Sequence, residues 1–80
     1  MTREDAQGWL AKMLMEKVRE DPYPSTTQMA IIEEVLPREL VPDYLEVLIE
    51  KASEDNFPSI ALLRRISRVA ATLPNVDPRR

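Results

Sequence analysis

The side chains able to do chemistry are few in kind. The chain carries 14 acidic and 11 basic residues but neither histidine nor cysteine. The commonest general acid–base group and the thiol nucleophile are therefore missing, and no ordinary zinc site can be assembled. A phosphate-cradling loop needs several glycines, and Gly8 stands alone. The neighbouring carboxylates Glu33-Glu34 and Glu20-Asp21 read as helix-surface and helix-end charges. No spacing singles out a carboxylate pair of raised pKa. No catalytic, cofactor-binding or metal-ligating residue is assigned, and the chain is not expected to be an enzyme.

Two other groups invite a functional reading. Arg64, Arg65 and Arg68 fall on one side of the last expected helix, opposite Leu62, Leu63, Ile66, Val69, Ala70 and Leu73. Such a row is a solvated face, a partner for carboxylates of this chain or another, or a nucleic-acid contact. Charge helps to rank these. Residues 1–56 hold 6 basic and 13 acidic side chains, whereas residues 57–80 hold five arginines against Asp77, for a total of −3. Non-specific nucleic-acid binding draws on counterion release by positive charge, so nucleic acid is the less favoured partner. A nucleic-acid-binding regulator using this arginine face is the alternative reading.

The second group lies near the N-terminus. Leu10, Ala11, Leu14, Met15 and Val18 share the expected core face of the first helix, which leaves Ala6, Trp9 and Met13 on another side. Either a neighbouring element covers them, or they form a contact surface. Tryptophan is over-represented at interface hot spots, and methionine suits adaptable surfaces. A second copy of the chain, giving a symmetric homodimer, is the simplest occupant.

The elements that position these groups are helices. Seven prolines punctuate the chain, and no stretch alternates long enough to read as a strand. Thr2 with Asp5 resembles a capping box and starts a helix over 3–20, ended by Pro22. Ser25 with Gln28 opens a second over 26–36, stopped at Pro37. That helix should bury Met29, Ile31, Ile32, Val35 and Leu36. Pro42 in a first turn opens a third over 42–54, burying Val41, Tyr44, Leu45, Leu48, Ile49 and Ala52. Ser59 opens a fourth over 59–73.

A repeat ties them together. Leu14–Ser25 recurs 34 residues later as Leu48–Ser59, with seven of twelve positions identical. Fixed periods in this range mark one supersecondary unit used more than once. The shared corner, Asp-x-aromatic-Pro-Ser, predicts that Tyr23 and Phe57 plug the ends of two hairpins, 3–36 and 42–73. The period is similar to that of tetratricopeptide repeats. The likeness stops there: Trp9 is followed by Leu10-Ala11-Lys12-Met13, with no glycine where that family has one.

The expected fold is all-α: a single domain over 1–73, a compact four-helix bundle of two duplicated αα-hairpins, with 74–80 as a flexible tail. No apolar run reaches the roughly 20 residues needed to span a bilayer. The opening Met1-Thr2-Arg3-Glu4-Asp5 is unlike a secretory signal, so a cytoplasmic setting is expected. The expected function is a non-enzymatic protein–protein interaction module: an adaptor, assembly factor or small regulator without a cofactor.

Overall fold

A computed structural model describes residues 1–74, and these form four α-helices and one short turn. They are α1 (Arg3–Glu20), α2 (Thr26–Val35), α3 (Val41–Glu54) and α4 (Ile60–Ala70), with a 3₁₀ turn at Arg38–Leu40 leading into α3. The described residues contain no strand. The tail expected at 74–80 falls, beyond Pro74, outside the described residues.

Local chemistry accounts for the boundaries. The Asp5 N–H donates to Thr2 Oγ1 at 3.1 Å, and the Thr2 N–H donates back to Asp5 Oδ2 at 3.2 Å. That reciprocal pair satisfies two of the donors a helix start leaves open. Ser25 Oγ accepts from the N–H groups of Thr27 and Gln28, and Ser59 Oγ from that of Leu62. Pro42 sits in the first turn of α3, where no N–H is needed. α4 ends at Ala70, three residues before the expected limit.

The two corners are alike in detail. The Tyr23 N–H donates to Asp21 Oδ1 at 2.9 Å, and the Phe57 N–H donates to Asp55 Oδ1 at 3.0 Å. In each an aspartate makes an Asx turn, proline follows the aromatic, and serine caps the next helix. The aromatics themselves overturn the expected plugs: Tyr23 and Phe57 are 90% and 89% exposed. Backbone and cap bonds already fix the corner, so the ring has no cavity to fill.

α1 packs on α2 and α3, and α3 also packs on α4, whereas α2 and α4 make no backbone-level contact. The result measures 41 × 39 × 16 Å. Sixteen ångströms is the depth of two helix layers at an interaxial distance of about 8–10 Å. α1 and α3 join the two hairpins, and each carries its own second helix. The domain is a compact four-helix unit, opened out rather than closed into a ring.

The core follows this plan. Ala11, Leu14, Met15 and Val18 of α1 meet Met29 and Ile32 of α2 and Val41, Tyr44, Leu45, Val47 and Leu48 of α3. Each large side chain taken fully out of water stabilises the fold by about 1.5–3 kcal/mol. Three assignments change. Ile31 and Ile49 are exposed, and Val47 is buried where it was not expected. On α4 only Val69 is buried, with Leu62 and Ile66 half-covered and Leu63, Ala70 and Leu73 open. For Val47, Ile49 and α4 the reason is shared: the seam between the hairpins covers one flank of α3, and among the described residues nothing covers the opposite flank or the outer side of α4.

Candidate functional site

The rotation of α1 is set by its buried stripe, which turns Ala6, Trp9 and Met13 outward. Trp9 is 60% exposed and Met13 49%, and Ala6 is exposed beside them. All three expected residues thus share one open face. Next to it runs a groove of about 610 Å³ between the first half of α1 and the 34–40 segment, with Gly8, Trp9, Leu36, Pro37 and Leu40 in its walls. Gly8 fits there without strain, since an added Cβ would sit 3.9 Å from Pro37 Cγ.

The arginine row is divided by the structure. Arg64 is exposed. Arg65 turns inward and pairs with Glu33 of α2, Nη1 to Oε2 at 2.5 Å, with side chains only 16% and 22% exposed. Arg68 reaches the other carboxylate oxygen at 4.0 Å from solvent. The expectation of three arginines on one outer face is corrected. Arg65 borders the seam, where the Glu33 carboxylate meets it, while Arg64 stays in solvent.

Glu33 is the hub that local sequence reading missed. The buried Tyr44 hydroxyl donates to Glu33 Oε2 at 2.6 Å and lies 3.4 Å from the Met29 carbonyl. Burial and this carboxylate both push the Tyr44 hydroxyl above its ordinary pKa. The Glu33 hydrogen bond likewise raises Arg65, against the opposing effect of its burial. One carboxylate therefore ties α2, α3 and α4 together. A signal existed in the sequence, since Glu33 follows the core residue Met29 by one helical turn and so shares its buried side.

Compared with known proteins, the chain matches no family model, no curated protein and no solved structure. The site is therefore read from its own geometry. The Glu33–Tyr44–Arg65 cluster is internally satisfied, each group spending its charge or proton on the others, which is the arrangement of a structural latch. Among the described residues no group of three or more carboxylates is placed to hold a metal ion, and no helix is long and apolar enough to cross a membrane.

A second apolar surface lies at the other end of the molecule. Ile49 of α3 and Leu63 of α4 are each about half exposed, and Ile60 is more open still. Sequence reading placed Ile49 and Leu63 in the core.

Proposed function

We propose that this chain is a cytoplasmic, non-enzymatic protein–protein interaction module whose contact surface is the Ala6–Trp9–Met13 face of α1. One observation carries the reading: a tryptophan and a methionine stand in water on one side of a helix whose other side buries Ala11, Leu14, Met15 and Val18. Covering them returns roughly 25 cal/mol per Å² of apolar surface, and an aromatic anchor of this kind is where binding energy concentrates. The simplest partner is a second copy of the chain. The nucleic-acid alternative is weakened because Arg65 is already paired and Arg68 shares the same carboxylate. The two hairpins are read as copies of one ancestral unit, supported by the seven-of-twelve identity and by the matching aspartate and serine bonds of the corners.

Affinity capture on the wild-type chain and on Trp9→Glu, with and without nuclease, tests the reading. A protein, either another copy or a foreign chain, should be held by the wild type, resist nuclease and be lost from a folded Trp9→Glu variant. Capture that nuclease abolishes, or that Trp9→Glu leaves intact, overturns it.

A further inference from the structure

The seam between the two hairpins is a template for a contact between molecules. Across it, Met15 and Arg19 of α1 face Leu40, Asp43 and Val47 on the α3 side. Arg19 Nε lies 3.4 Å from Glu50 Oε2, and Lys51 Nζ donates to the Asp21 carbonyl at 2.9 Å. Met29 and Glu33 of α2 meet Tyr44 and Arg65. The 34-residue register of the repeat carries each side of this seam onto the opposite end of the molecule. Moved back by 34, Leu40, Asp43, Val47 and Lys51 become Ala6, Trp9, Met13 and Lys17. Moved forward by 34, Met15, Met29 and Asp21 become Ile49, Leu63 and Asp55.

The two surfaces left open are thus the two halves of the seam that is closed inside the chain. Val47 and Ile49 show this on one helix. They flank the core stripe of α3 about 160° apart; the first is buried on the seam and the second is half exposed. We propose that copies of this chain stack head to tail, the Ile49–Leu63 face of one on the Ala6–Trp9–Met13 face of the next, continuing the two-layer array. This inference rests on the interaction-module reading and names its partner and geometry.

The chemistry at the mapped positions permits it. Lys17 would donate to the Asp55 carbonyl as Lys51 does to that of Asp21. Ser67 and Ile31 take the places of Glu33 and Arg65, so no ion pair has to be stripped of water. Ser53 takes the place of Arg19 while Glu50 and Glu16 take the places of Glu16 and Glu50, so two exposed carboxylates meet there without their arginine, a modest cost that salt screens. A symmetric pairing of two α1 faces would instead leave Ile49 and Leu63 in water. A head-to-tail contact does not close on itself, so assembly grows with concentration.

Sedimentation velocity from low micromolar to submillimolar concentration provides the test. The wild-type average mass should keep rising without a dimer plateau. Met13→Glu and Ile49→Glu, each with wild-type helical circular dichroism, should weaken self-association at least tenfold. Mixed in equal amounts, the two variants should form a one-to-one dimer that grows no further, since each keeps one intact face. If either variant loses helicity, Met13→Ser and Ile49→Ser serve in the same mixing experiment. A monomeric wild type at submillimolar concentration overturns the inference, as does a mixture that stays monomeric. A wild-type dimer that plateaus and ignores Ile49→Glu overturns it in favour of the symmetric pairing. If a monomeric wild type still captures a foreign protein through Trp9, this inference falls and the interaction-module reading stands.

Discussion

Replacing Glu33 by alanine removes the carboxylate on which three helices converge. Losing one partner of a fully buried ion pair costs about 3–5 kcal/mol, whereas a fully exposed pair is worth about 0–1 kcal/mol. Glu33 and Arg65 are 22% and 16% exposed, and Arg65 can regain some water, so about 2–3 kcal/mol is expected from the pair. Tyr44 also loses its acceptor and is left with the Met29 carbonyl at 3.4 Å, which adds about 1 kcal/mol. Domains of this size are stable by about 4–12 kcal/mol in total, so Glu33→Ala should forfeit a large share. Urea denaturation at neutral pH, followed by far-ultraviolet circular dichroism, measures it as a lower midpoint. A double-mutant cycle with Arg65→Ala should return a coupling of about 2 kcal/mol. Arg68→Ala, whose guanidinium is exposed at 4.0 Å, should change stability by less than about 0.5 kcal/mol. A Glu33→Ala protein within about 0.5 kcal/mol of wild type, or equal coupling to Arg65 and Arg68, would show that the latch is only a surface pair.

Three further outcomes are expected. Burial and the Glu33 carboxylate raise the Tyr44 hydroxyl above its ordinary 10.0, so the native state keeps a proton that the unfolded chain releases. Stability fully present below about pH 10 should fall above it by about 1.4 kcal/mol per pH unit, and pH-dependent urea melts of Tyr44→Phe should show a flatter alkaline limb. Tyr23→Ala and Phe57→Ala should each lie within about 0.5 kcal/mol of wild type in the same assay, because both rings stand in solvent; a loss of several kcal/mol would restore them as plugs. Gly8→Ala should raise the thermal midpoint, by about 0.5–1 kcal/mol of stability, since the added methyl group meets only Pro37 Cγ at 3.9 Å.

Reading the sequence worked where the deciding forces are local. Thr2 and Asp5, Ser25 and Ser59 mark helix starts through side-chain bonds that span two or three residues, and Pro42 through a fixed φ and a missing N–H. The bounds of α1 and the outward face holding Trp9 and Met13 follow from those caps and from a 3.6-residue period. It failed where partners are far apart along the chain. Arg65 and Glu33 are separated by 32 residues, and beside Glu34 the hub residue looks like any surface acid. Val47 and Ile49 are equally apolar on either flank of one stripe, and only the seam decides which is buried. The aromatics misled for the opposite reason. Asp21 and Asp55 secure the corners through backbone bonds, so the rings carry no structural duty that their type advertises.

The fastening of α4 also sets the mechanics of the molecule. This helix buries only Val69, packs on α3 alone and reaches α2 through side chains rather than backbone. Its separation is a sub-global opening, distinct from unfolding of the α1–α2–α3 body that holds nearly all of the core. Such units open with free energies well below the global value. A hierarchy of native-like states is the expected outcome: native-state hydrogen exchange should show the amides of α4 meeting solvent while the first three helices keep their protection. Glu33 and Arg65 bear most directly on the gap between those two levels, because their bond must break in the smaller event as well as the larger.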